Sequence, residues 1–96
     1  MRIVVELYGL PRRRAGITEV PIDLDLQSVQ LAELIEVLAE QFPDLHPDCL
    51  VCSPLGNWEL SRHVVGNRNG DCFIRAGIEV LVDGDRLLLM SADVGG

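Results

Sequence analysis

The chain contains no lysine: all eight of its basic residues are arginines, set against fifteen acidic ones for a formal net charge of −7. That balance repels phosphate backbones and anionic lipid surfaces, so neither nucleic acid nor a membrane is expected as a partner. The missing lysines also remove every side-chain amine that an activated carboxylate could acylate. They exclude a Gly-x-x-x-x-Gly-Lys-[Ser/Thr] phosphate loop as well, so any ATP chemistry must come from elsewhere. Aromatic residues make up only 4%, with Trp58 the single tryptophan. No apolar run approaches the ~20 residues that span a bilayer. The opening Met1–Glu6 carries an acid in its apolar stretch and lacks a small-residue cleavage site, so no secretory signal is expected. Three cysteines, an odd number without an export signal, point to reduced thiols and a cytoplasmic setting. Internal repeats and low-complexity tracts are absent too.

What is present is an ordinary globular composition, 48% hydrophobic and 24% charged over 96 residues. One domain covering residues 1–96 is expected, with its own core. Ile3, Val5 and Leu7 alternate with more polar neighbours, as in a half-buried strand over residues 2–8. Gly9 to Gly16, with Pro11 and Arg12-Arg13-Arg14, reads as a turn. Alternation resumes through Val20, Ile22, Leu24 and Leu26, which makes the pair a hairpin. Pro21 cannot donate to a ladder, so the second strand belongs at a sheet edge.

Ser28 is placed as an N-cap, and Leu31, Leu34, Ile35, Leu38 and Phe42 follow at helical spacing, so a helix of about 14 residues should run to Pro43. Glu33, Glu36 and Glu40 lie off that apolar face and read as a solvated surface. Beyond it, Cys49–Cys52 is a short strand and Pro54–Asn57 a turn, while His63–Val65 and Cys72–Arg75 are strands joined by the loop Gly66–Gly70. Gly77 to Asp85 is a connection closing on Asp83-Gly84-Asp85. Arg86 to Met90 is almost wholly apolar, as expected of a strand covered on both faces in the middle of a sheet. Strands flanking one amphipathic helix amount to an α+β arrangement.

After that last strand come Ser91-Ala92-Asp93, read as a polar hinge, and then Val94-Gly95-Gly96. Two glycines without Cβ atoms make a narrow stalk, and the Gly96 carboxylate itself becomes a candidate functional group. The phrase Leu38-Ala39-Glu40-Gln41-Phe42-Pro43 resembles the helix end of the β-grasp, ubiquitin-like family of small sulfur carriers, which includes the molybdopterin synthase small subunit and the thiamine sulfur carrier. The succession of Leu81, the Asp83-Gly84-Asp85 turn, the strand Arg86–Met90 and the terminal Val94-Gly95-Gly96 resembles it more specifically. The residue-level match lies in the C-terminal third. Residues 44–62 are longer than a typical member needs, and Ser91-Ala92-Asp93 stands where molybdopterin-type members tend to carry prolines.

The resemblance implies a β-grasp fold, a mixed sheet of four to five strands with one main helix across one face. It implies a carrier and not an enzyme: the Gly96 carboxylate would be adenylated by a separate ATP-dependent activating enzyme and converted to a thiocarboxylate. Sulfur would then pass to an accepting synthase subunit in molybdopterin or thiamine biosynthesis. Gly95 and Val94 would contact those partners, and no cofactor or metal would be bound. A protein modifier joined through Gly96 to lysines of other proteins, and a plain interaction module, are the alternatives.

Other constellations fit less well. On a strand, the thiols of Cys49 and Cys52 point to opposite faces and cannot share a zinc ion, and no second Cys-x-x-Cys is present. An iron–sulfur ferredoxin needs four cysteine ligands. A thioredoxin-like site wants Cys-x-x-Cys at a helix start, which the surrounding prolines and glycine do not offer. His46 and His63 lack a nucleophilic partner, Arg12-Arg13-Arg14 reads as a solvated turn, and Trp58 either caps the core or anchors an interface.

Overall fold

The computed structural model describes residues 1–92. Five strands form the main sheet: β1 (Arg2–Leu7), β2 (Glu19–Asp23), β6 (Val64–Arg68), β7 (Cys72–Ile74) and β9 (Arg86–Ser91), in the order β2-β1-β9-β6-β7. β9 lies at the centre, parallel to β1 and antiparallel to β6. Its Leu87 and Leu89 are fully buried, whereas Leu88 and Met90 are only half-buried on the other face. The strand is therefore central, as expected, but covered completely on one face only. β2 is the sheet edge that Pro21 calls for, with Pro21 opposite Val4.

The helix α2 (Leu31–Gln41) supplies Leu31, Leu34, Ile35 and Leu38, all fully buried, to a core shared with Ile3, Val5 and Leu7. It is shorter at its start than expected. Ser28 is not its N-cap; it belongs to β3 (Ser28–Gln30), which pairs antiparallel with β8 (Val80–Val82). The cap is Gln30, whose backbone N–H donates to Glu33 Oε1 at 3.2 Å. The supposed connection 77–85 thus contains a strand, and Glu33, expected only to face solvent, has a structural partner.

Two further departures concern local chain direction. Residues Leu10–Ala15 form a short helix, α1, where a turn was expected: Pro11 opens it and Gly16, at φ 75°, closes it by donating to Arg12 O at 2.8 Å. The loop assigned to 66–70 is mostly strand, since β6 runs to Arg68. Only Asn69 and Gly70, at φ 59° and 79°, make the reversal, as a tight hairpin turn requires.

A 3-10 turn (Pro43–Leu45) leads into residues 44–62, which hold a small hairpin of β4 (Leu50–Cys52) with β5 (Trp58–Leu60). The β5 strand, unforeseen in sequence, packs on α2. Among the described residues no helix is long and apolar enough to cross a membrane. The architecture is the expected α+β β-grasp arrangement, a mixed five-stranded sheet with one main helix, to which two small two-stranded sheets are added.

Candidate functional site: the root of the C-terminal segment

Val94, Gly95 and Gly96 lie outside the described residues, but the structure shows how the chain leaves the sheet towards them. Ser91 is the last residue of β9, paired opposite Val64. Its Oγ accepts a hydrogen bond from the backbone N–H of Leu10 at 2.7 Å. Ala92 donates its N–H to His63 O at 2.8 Å, and Tyr8 donates its own to Leu89 O at 2.9 Å. Ser91 and Ala92 are consequently not a hinge. They are tied to the start of α1 on one side and to the start of β6 on the other.

Gly9 makes the first of these ties possible. It sits at φ 64° and ψ −126°, a combination that side chains avoid, and a Cβ there would fall on Ser91 Oγ. A glycine at this point lets the backbone close up until Leu10 N–H reaches the serine oxygen. Sequence reading saw Gly9 as a turn residue. The signal it missed is long-range, because Ser91 is 81 positions away from Leu10.

Beside the root, the outer face of the sheet carries a row of ion pairs. Arg86 pairs with both Glu6 and Glu19, and the Tyr8 hydroxyl donates to Glu6. The Tyr8 hydrogen bond, followed by Arg86, holds the Glu6 carboxyl below its ordinary range. The hydrogen bond to the Glu6 carboxylate pushes the Tyr8 hydroxyl up. Leu88 and Met90 stand next to this network, and Phe73 is 71% exposed at the far edge strand. Between Leu88 and Phe73 lies Asn67, 6% exposed, whose buried Oδ1 has no hydrogen-bond partner.

The competing constellations resolve in geometry. Cys49 is buried and Cys52 exposed, so the Cys-x-x-Cys thiols do not converge. Burial, with Asp48 adding to it, pushes the Cys49 thiol up to about 11. No group of three or more His, Cys, Asp or Glu side chains among the described residues is arranged to hold a metal. His46 packs edge-on against Trp58, ring centroids 5.6 Å apart, and Trp58 is partly buried against the core. Trp58 also borders an open cleft of about 430 Å³ between β5 and the stretch from Arg75 to Ile78.

Nor are all three arginines of α1 simply solvated. Arg12 donates to Leu7 O at 3.1 Å and lies over the Tyr8 ring, while Arg14 pairs with Asp48 at 2.8 Å.

No protein-family model and no curated protein matches the chain. Solved structures do. SAMP1 from Haloferax volcanii is 26% identical, with 100% of each chain covered and a TM-score of 0.78. Another structure of small archaeal modifier protein 1 from H. volcanii matches at 26% identity over 93% of this chain and 94% of that one, TM-score 0.71. Small archaeal modifier protein 1 from Methanosarcina acetivorans has the same fold at 20% identity, covering 99% and 96%, with a TM-score of 0.73. The structural neighbours are thus ubiquitin-like β-grasp proteins, related to the sulfur carriers.

Proposed function

We propose that the chain is a ubiquitin-like modifier or carrier that acts through its Gly96 carboxylate, activated in trans. The observation that supports this most is the likeness, end to end, to proteins described as small archaeal modifiers. A carboxylate is a poor electrophile, and adenylation by an ATP-dependent partner gives it a good leaving group. In the modifier reading the acyl group passes to a lysine of a target protein. Val94 and Gly95 then contact the partner, beyond a root whose Ser91 and Ala92 are tied to Leu10 and His63.

The sulfur-carrier reading shares the first step and replaces one carboxylate oxygen by sulfur for a synthase subunit in molybdopterin or thiamine biosynthesis. The C-terminal residue pattern favours it. Incubation with a cognate activating enzyme, ATP and a sulfur donor separates the two by intact mass spectrometry. Exchange of one oxygen for sulfur marks the carrier, and covalent adducts on target proteins mark the modifier. If neither product forms, while deletion of Gly96 leaves cellular phenotype unchanged, the role of the terminus is refuted.

A further inference from the structure

Arg75 is a fixed cation without a carboxylate partner in a chain of net charge −7. The ion pairs among the described residues use Arg2, Arg14 and Arg86 instead. Arg75 Nη1 donates to Leu60 O at 3.1 Å, and its Nη2 to Ser61 O at 3.1 Å and to Val64 O at 2.6 Å. Three carbonyls hold the guanidinium in place without cancelling its charge, since a carbonyl is a dipole and not an anion. A ligand carboxylate therefore meets a cation that is already ordered.

This arginine stands between two open clefts. The one of about 430 Å³ has Trp58 and Ile78 among its walls. A second, of about 480 Å³, has Pro47, Val51 and Leu60 among its own. Arg75 and Glu59 line both, so the clefts adjoin and form one groove beside β5, apolar at each end and charged in the middle. Ile78 is 76% exposed, a large apolar side chain left to solvent at one end. Arg62 brings a second cation to the other cleft, which His63 also lines. The Arg62 Nε donates to His63 Nε2 at a long 3.5 Å, and its guanidinium makes no ion pair among the described residues. Glu59 is the one carboxylate lining the groove.

We propose that this groove docks a short extended segment of a partner protein, one that carries an acidic side chain between two apolar ones. The carboxylate pairs with Arg75, with Arg62 beside it, and the apolar side chains enter the two ends, one against Trp58 and Ile78, the other against Val51 and Leu60. Charge complementarity selects this occupant. A polyanion such as nucleic acid meets the repulsion of the whole chain, whereas a single carboxylate responds mainly to the arginines within a screening length of about 8 Å. The groove is built by the β4–β5 hairpin and the stretch from Arg75 to Ile78, so the docking does not depend on the chemistry proposed for Gly96.

The test is an NMR titration of the isotope-labelled full chain with capped peptides that place Leu, Ile, Val or Phe on either side of Asp or Glu, and with the same peptides carrying Asn or Gln instead. The acidic set should give saturable shifts at Val51, Glu59, Leu60, Arg62 and Ile78 and at the Arg75 Nε–H. Its best member should bind at least about threefold more tightly than the amide counterpart. Arg62→Gln should weaken that peptide by about threefold, and Glu59→Gln should tighten it by a similar factor, because a competing carboxylate is gone. Both side chains are exposed, so these variants keep the fold. Arg75→Gln should abolish the preference for acid over amide; if that variant unfolds, the Arg62 and Glu59 variants still decide. The proposal is overturned if no peptide gives a saturable shift up to about 1 mM, or if acid and amide bind alike. Shifts confined to the outer face of the main sheet overturn it as well. So do groove shifts that change on dilution of the chain alone, which would make a second copy the occupant.

Discussion

Replacing Gly9 with alanine should cost more than its place in a surface turn implies. At φ 64° and ψ −126° the backbone strain for a non-glycine residue is about 1–3 kcal/mol. The added Cβ would also fall on Ser91 Oγ, with Ser91 Cβ 3.2 Å away, so the hydroxyl must rotate off the Leu10 N–H. Losing that hydrogen bond costs about 1 kcal/mol. Together these give about 2–4 kcal/mol, against a total stability of about 5–14 kcal/mol for a domain of this size. At about 4–8 °C per kcal/mol, thermal melts followed by circular dichroism should show Tm lowered by about 8–32 °C. A double-mutant cycle isolates the shared part. Ser91→Ala alone should cost about 1 kcal/mol, and the pair Gly9→Ala/Ser91→Ala should be less than additive by a similar amount, because the same hydrogen bond is lost in both. Urea unfolding that places Gly9→Ala within about 0.5 kcal/mol of wild type would refute the strain argument. Strict additivity of the two changes would refute the proposed tie at the tail root.

Two other outcomes follow from the titrating groups. Glu6 is held below its ordinary value of 4.5 by the Tyr8 hydroxyl and then by Arg86. Its stabilising effect is therefore fully present above the unfolded-state value and disappears as pH falls through the lower folded one. Glu6→Gln should flatten the acid limb of a stability-against-pH curve below about pH 4.5, and an acid limb identical to wild type would count against the network. Cys49, buried and pushed up to about 11, should resist iodoacetamide at pH 8 in the native state while the exposed Cys52 and Cys72 react; equal labelling of all three before denaturation would contradict that burial.

The elements that were legible in sequence are those whose signal is local and apolar. Leu31, Leu34, Ile35 and Leu38 follow the helical period and are all fully buried. Pro21 announces an edge because a missing N–H can be tolerated only there. Arg86–Met90 reads as a central strand from its apolar run alone. What escaped is non-local or carries no periodicity. The strand at Ser28 exists because Val82 is opposite it, a pairing between distant segments, and without that partner serine before an apolar helix looks like a cap. α1 has too few residues to show an apolar stripe, and its three arginines read as a turn even though Pro11 and Gly16 bracket it in the order that suits a helix. At the candidate site the same division holds. Gly95 and Gly96 are conspicuous in the sequence, while the contacts that orient the chain leading to them are not.

That orientation is a consequence of topology. Because β1 and β9 run parallel, the chain leaves β9 at the same end of the sheet at which it leaves β1 and turns into α1. The antiparallel partner β6 starts at that end too, since Val64 stands opposite Ser91. The exit of the last strand is thus bracketed by one segment from early in the sequence, Gly9–Leu10, and one from its middle, His63. Both ties use backbone groups, Leu10 N–H and His63 C=O, so most substitutions at those two positions leave them intact. The exceptions are Gly9, where any side chain intrudes, and Ser91, whose oxygen is the acceptor. The direction in which the chain leaves the domain therefore depends on two small residues 82 positions apart in sequence, and the Gly9/Ser91 cycle reads that dependence directly.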